Sequence, residues 1–239
     1  MSPTWRYEDG GARRRSSCEG ARLALQQGES LQATSRSAMV ATMVVVATND
    51  EVFLLCHTGG DDAVSWVERI DPISLEVLAS SEKLPGGPAW PGGLGVHDNG
   101  DLYVVFGNHA HRLSRSLQLC ASRELPRRRP YNSFVVLPDG HLVTKDFTGS
   151  RPGSEVAEPY AVTQLAVLEP EHLEIVATLD MPEASIARLS ADGSDVYVVG
   201  TTALWRARWN GVSLTMDGAH GTDRKSTRLN SSHVSESRM

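Results

Sequence analysis

The chain has 239 residues, 40% of them hydrophobic and 22% charged, with a formal net charge of −6. That is enough apolar material for one or two packed domains and unlike the composition of a wholly disordered protein. No run of 18 or more apolar residues occurs, so no membrane-spanning helix is expected. Residues 39–222 hold 13 basic and 23 acidic side chains, a net charge of −10, which argues against a nucleic-acid partner.

Residues 1–38 are rich in Gly, Ser, Gln and Arg and keep no period of 2 or 3.6. Such a stretch reads as a disordered or mis-translated leader. Arg13-Arg14-Arg15 is too small a cluster for a nucleic-acid arm, and no apolar core follows soon enough for a twin-arginine signal. The first apolar run, Met39–Thr48, suits a strand. No small-residue cleavage site follows it, so no signal peptide is clear and the compartment stays open.

From Met39 onward the chain reads as strands separated by turn residues. The first module, to Gly87, offers Val44–Ala47, Val52–His57, Val64–Ile70 and Val77–Glu82, with turns at Asn49-Asp50, Gly59–Asp62 and Asp71-Pro72. The second, Pro88–Arg129, begins with Trp90-Pro91-Gly92-Gly93 and carries the phrase GVHDNGDLYVVFG. The third, Pro130–Pro182, carries YNSFVVLPDGHLVTKDF, and the fourth, from Glu183, carries ARLSADGSDVYVVG before the pattern fades near Gly211. Three markers repeat with matching spacing. Turn glycines Gly100, Gly140 and Gly193 are 40 and 53 residues apart, and Leu84-Pro85, Leu125-Pro126 and Met181-Pro182 are 41 and 56 apart. The third set, Leu75-Glu76-Val77, Leu117-Gln118-Leu119 and Leu173-Glu174-Ile175, is spaced by 42 and 56. A Gly- and Pro-rich insertion near Thr148–Tyr160 accounts for the longer module.

A period of about 40–45 residues built from four short strands is the signature of an all-β, β-propeller architecture with four-stranded antiparallel blades. A β-sandwich with coincidental spacing is the competing reading. The count comes to about three complete blades and part of a fourth over residues 39–222. Propellers close with four to eight blades, so this partial propeller looks truncated, with blade faces left uncovered. The phrase Arg69–Leu78, RIDPISLEVL, and its second copy, LEPEHLEI from Leu168, resemble the turn into the outermost strand of YVTN-type and quinoprotein-like propellers. That resemblance implies a fold and no chemistry. A pyrroloquinoline-quinone dehydrogenase is disfavoured, because blade-sealing tryptophan repeats are not evident among the five Trp.

The C-terminal stretch Asp223–His233, DRKSTRLNSSH, resembles a translated sequencing-library adapter, and Ser237-Arg238-Met239 fits its downstream part. Residues 223–239 are therefore expected to be a non-native, adapter-derived tail.

Chemistry-bearing motifs are few. Cys18, Cys56 and Cys120 have no zinc spacing, and Cys56 and Cys120 fall in strand patterns that suit small buried hydrophobes. His109-Ala110-His111 places two imidazoles on one strand face, an acceptable metal geometry that lacks a third ligand, although His97 is in the same module. Arg127-Arg128-Arg129 reads as a solvated inter-blade loop. Two positions break the repeat. Asn132 aligns with Gly92 and Ser185 just before the innermost strand, where a propeller opens onto its channel. Lys145-Asp146 takes the place of the apolar Val105-Phe106 and Val198-Val199. An Asn before an inner strand and an Asp after a DG turn resemble the gluconolactonase/senescence-marker family, whose members bind a divalent ion, typically calcium, through Asn, Asp and Glu oxygens. The resemblance implies Asn132 and Asp146 as candidate calcium ligands and a lactone or ester hydrolase, although no glutamate stands near Val44 to complete the set. The other reading is that Asn132 caps a turn and Lys145–Asp146 is a structural pair. The expected function is a scaffold for a small molecule or a protein, with the calcium-dependent hydrolase as the alternative.

Overall fold

The computed structural model describes residues 5–18, 24–37, 40–147 and 162–221. The adapter-like tail and the insertion lie outside the described residues. Four sheets follow one another along the chain, each an antiparallel meander in sequence order. The first contains β1 (Val40–Val46), β2 (Val52–His57), β3 (Ala63–Ile70) and β4 (Val77–Ser80), with β5 (Leu84–Gly87) also pairing with β3. The second contains β6 (Gly93–Val96), β7 (Leu102–Phe106), β8 (His109–Leu113) and β9 (Leu119–Glu124). The third contains β10 (Tyr131–Val136), β11 (Leu142–Asp146), β12 (Gln164–Leu168) and β13 (Ile175–Asp180), and the fourth β14 (Ser190–Asp192), β15 (Asp195–Val199), β16 (Ala203–Trp209) and β17 (Leu214–Gly221). The fourth blade thus has its outer strand, beyond the point where the sequence pattern fades. Strand β17, LTMDGAHG, pairs with β16 along its length but lacks the β-branched alternation that marks a strand in sequence.

The repeat markers have distinct structural roles. Gly100, Gly140 and Gly193 occupy positive φ (90°, 89° and 60°) in the turns between first and second strands, a region open to glycine without a Cβ penalty. Leu75, Leu117 and Leu173 also have positive φ (61°, 67° and 59°), in the turns between third and fourth strands. A left-handed leucine costs about 1–2 kcal/mol. Leu117 and Leu173 are buried, and burying a leucine contributes about 1.5–3 kcal/mol, enough to offset that cost. Leu75 is only half-buried. Leu173→Gly is therefore expected to destabilise by about 2–4 kcal/mol, while Leu75→Gly stays within about 1 kcal/mol of neutral, measured by urea unfolding.

The Leu-Pro marker anchors each linker. Leu84, Leu125 and Met181 are buried, and the residue after each proline docks onto the turn between second and third strands of the next sheet. At the first linker the main chain docks, with Asn108 N–H donating to Gly86 O at 2.8 Å. A Cβ on Gly86 would lie 2.5 Å from Ala63 O and 2.7 Å from the Phe106 ring, so this approach requires glycine. At the second linker the Arg127 guanidinium reaches Asp146, and at the third the Glu183 carboxylate accepts from Thr202 N–H (2.9 Å), Ala203 N–H (3.1 Å) and Trp205 Nε1–H (2.5 Å). Burial pushes the Glu183 carboxyl up, but the hydrogen bonds from Thr201, Trp205 and Thr202 outweigh it and hold its pKa at about 2. The stabilisation from Glu183 is full above its ordinary pKa of 4.5 and is lost as pH falls toward 2. Glu183→Gln should accordingly show a flatter acid limb in a Tm-against-pH series.

Apolar clusters join neighbouring sheets: Phe53, Leu55, Leu94 and Phe106 between the first and second; Tyr103, Tyr131, Phe134 and Leu168 between the second and third; Val143, Leu165, Val198 and Trp209 between the third and fourth. Among the described residues no such cluster joins the fourth sheet to the first. The expectation of apolar end faces holds only in part. The outer face of the first sheet presents Val44, Leu54 and Val64 beside Glu68, which pairs with Arg36, and that of the fourth carries the pairs Arg208–Asp195 and Arg206–Asp217.

Candidate functional site

The first strands β1, β6, β10 and β14 stand side by side, each the edge of its sheet, with no strand of another sheet hydrogen-bonded on that side among the described residues. Such edges are templates for pairing with another extended segment. The leader supplies one at Trp5–Tyr7 and then turns through a 3-10 helix at Glu8–Gly10 and on to Ser16, so composition alone misjudges that part as disordered. Trp5 and Val46 exchange both main-chain hydrogen bonds (2.9 and 2.8 Å), Val96 N–H donates to Arg6 O (2.8 Å), and Ala191 N–H donates to Ala12 O (2.8 Å). Arg14 donates to Leu189 O (3.1 Å) and Phe134 O (3.2 Å). One short segment therefore touches the first strand, or the residues just before it, in all four sheets.

Side chains lock this segment. The Tyr7 ring sits edge-on to Phe134, with centroids 6.5 Å apart, in a slot that exists because residue 95 is glycine; a Cβ there would lie 2.5 Å from Tyr7. Glu8 is buried between Arg14 (2.7 Å) and Arg188, Arg6 pairs with Asp98 (2.7 Å), and Arg13 pairs with Asp192 (2.9 Å). Burial lowers the Arg14 pKa to about 10, while the nearby Asp9 opposes the shift. Tyr7, the Gly10–Arg15 run and Cys18, with Leu137, Pro138 and Gly193 from the hairpin turns, also border a cavity of about 500 Å³. The Arg13-Arg14-Arg15 run thus belongs to a plug at the hairpin-turn end of the inner strands.

The sequence-derived pair Asn132 and Asp146 lies at the opposite, linker end. Strand register pairs Tyr131 with Asp146 and slips between Tyr131 and Phe134, so Asn132 falls in the irregular part of β10; its side chain lies outside the described residues. Asp146 is fully buried. One carboxylate oxygen accepts from Gln164 N–H (2.6 Å), and the other from Arg127 (3.2 Å) and Arg129 (3.5 Å). Arg127 also donates to Val162 O (2.7 Å) and pairs with Asp180 (2.8 Å). Lys145, fully buried, donates to Ser185 O (3.0 Å) rather than to the Asp146 carboxylate. Two guanidinium groups and a main-chain amide on one buried carboxylate do not fit a calcium site, because the oxygens are committed and the local field repels a cation. Among the described residues no three His, Cys, Asp or Glu side chains converge as metal ligands.

Other sequence expectations divide. Only Arg128 of the arginine triplet is solvated, pairing with Asp62; Arg127 and Arg129 are buried, which corrects the solvated-loop reading. His109 and His111 stack with centroids 5.9 Å apart, and each ring is hydrogen-bonded to a β5 carbonyl, Gly86 O (3.0 Å) and Pro85 O (2.7 Å). Burial lowers the His111 pKa to about 4, so it is neutral and holds the first linker. His97 is committed elsewhere, to Gly140 O (2.9 Å). Cys56 is buried as expected, but Cys120 is exposed, on the outer strand β9.

No protein-family model matches the chain, and no curated protein matches it. Among solved structures it is similar to virginiamycin B lyase from Staphylococcus aureus, with 13% identity over 77% of this chain and 70% of that one and a TM-score of 0.50. It is also similar to a gluconolactonase from Xanthomonas campestris (14% identity, 74% and 67% covered, TM-score 0.42). A third is the Swd1 β-propeller domain from Myceliophteria thermophila (11% identity, 76% and 75% covered, TM-score 0.31). At 13% identity the likeness to the lyase shows the fold alone. The chain is a β-propeller protein, described here as an arc of four blades.

Proposed function

We propose that this arc is an interaction scaffold that binds an extended peptide segment along the inner edges of its blades, at the hairpin-turn end. The observation that carries this reading is the reciprocal main-chain pairing of Trp5 with Val46, continued by the Val96 and Ala191 amides. Main-chain hydrogen bonds to a sheet edge supply affinity without regard to sequence, and pockets for alternate side chains add specificity. Here the Gly95–Phe134 slot, Asp98 and Arg188 are those features. A site-specific protease sequence placed at Gln27–Glu29, followed by cleavage and removal of the leader, frees the edges. A fluorescent peptide spanning residues 2–17 should then bind saturably and slow hydrogen exchange at Val46, Val96 and Ala191. A folded, leader-free arc that does not bind the peptide at about 1 mM would refute the reading.

A further inference from the structure

The same contacts define both a partner chemistry and a form of control, an inference that rests on the peptide-scaffold reading above. We propose that residues 5–16 are a built-in competitor, holding the inner edges in place of a second protein's extended segment with a basic–aromatic–acidic core. Each position of that core meets a complementary group of the blades. The basic position meets Asp98, as Arg6 does at 2.7 Å. The aromatic position enters the slot over Gly95 against Phe134, as Tyr7 does. The acidic position meets Arg188, as Glu8 does.

Three features mark the leader as a separable occupant rather than a fifth structural layer. It is tied to the first blade through residues 17–39, and residues 24–35 of that connection are exposed. Its plug is internally hydrogen-bonded: Gly10 N–H donates to Tyr7 O, Gly11 N–H to Glu8 O, Arg14 N–H to Gly11 O and Ser16 N–H to Asp9 O. Its shape is therefore held partly by itself. The apolar clusters between blades are built from blade residues, with only Tyr7 and Ala12 of the leader packed against their margins. A tethered segment of this kind acts at an effective concentration of order millimolar, so it excludes a free peptide until that peptide is abundant or the tether is cut.

The probe is a 12-residue peptide carrying Arg-Tyr-Glu in an alanine–glycine background, titrated against intact chain and against chain cleaved at Gln27–Glu29 and freed of the leader. Fluorescence anisotropy should show at least about 10-fold tighter apparent binding to the cleaved, leader-free chain. A peptide with alanine in place of the tyrosine should lose at least about 10-fold on that chain. Equal affinity for intact and leader-free chain would overturn the competitor while leaving the scaffold reading standing. Equal binding of the tyrosine and alanine peptides would overturn the proposed core. Binding of neither this probe nor the residue 2–17 peptide to a leader-free chain that keeps its β-sheet circular dichroism would overturn the scaffold reading itself.

Discussion

Replacing Asp146 with asparagine is expected to destabilise the chain by about 3–5 kcal/mol, a fall of roughly 10 °C in Tm for a domain of this size. The carboxylate is wholly removed from solvent and faces Arg127 and Arg129, while Lys145 is buried alongside. Without the carboxylate, two guanidinium groups lose their buried counter-ion, and an uncompensated buried charge is far costlier than a missing contact. Lys145→Met should act in the opposite sense. Among the described residues the ammonium donates to main-chain oxygens, of Ser185 and of Asp146, and burial, reinforced by Arg129 against the pull of Asp146, lowers its pKa to about 7. A base whose folded pKa is depressed below its unfolded value of about 10.5 destabilises the fold most below the folded pKa, and the penalty fades as pH rises between the two. The advantage of Lys145→Met over the unaltered chain should therefore be greatest below pH 7 and shrink toward pH 10, read by urea unfolding at pH 6, 8 and 10. A loss under about 1 kcal/mol for Asp146→Asn would mean that water enters the cluster and that the latch between second and third blades lies elsewhere.

The architecture was legible because it depends on short-range chemistry that recurs. Turn glycines at Gly100, Gly140 and Gly193 mark positions where positive φ is required, and such positions leave a residue-type signature wherever they occur. The leucine and Leu-Pro markers were equally visible, but their causes were not. A leucine at positive φ is the opposite of what propensity suggests, and only the burial of Leu117 and Leu173 makes it tolerable. The three linker latches are a glycine main chain, an arginine and a glutamate, so one structural role is written in three unrelated residue types and no alignment on identity finds it. The Lys145-Asp146 anomaly did point to a special environment. Its partners Arg127 and Arg129 come from the preceding linker, and adjacency in sequence suggested a Lys–Asp pair that the strand geometry does not make, since neighbouring strand residues face opposite sides. The leader was missed because its main-chain hydrogen bonds impose no residue pattern, and the partners of its charged side chains, Asp98, Arg188 and Asp192, lie far apart along the chain. The one sequence trace of it is Gly95, a glycine inside a strand, where close approach of another backbone or ring is the usual cause.

Gly95 therefore offers the sharpest separation of plug from blades. In Gly95→Val the new Cβ would stand 2.5 Å from Tyr7 Cδ1 and 2.9 Å from Phe134 Cζ, closer than real contacts allow. One ring must yield. Phe134 is buried in the cluster between second and third blades, whereas Tyr7 belongs to a half-buried tethered segment, so the lower-cost response is withdrawal of Tyr7. Withdrawal drags the main chain with it, since Arg6 O is bonded to Val96 immediately beyond the substituted residue. The side chain of Arg14, anchored to Leu189 O and Phe134 O, should then come free, and tryptic cleavage after it should accelerate by at least about 10-fold. The blades themselves should lose no more than about 1–3 kcal/mol, the usual cost of an overpacked contact, and keep their β-sheet circular dichroism. Faster cleavage with the arc intact means that the leader is an occupant of the inner edges and can be exchanged for another. Unchanged cleavage with a larger loss of stability means that Phe134 has moved instead, that Tyr7 is as much core as the strands beneath it, and that the inner edges are permanently paired.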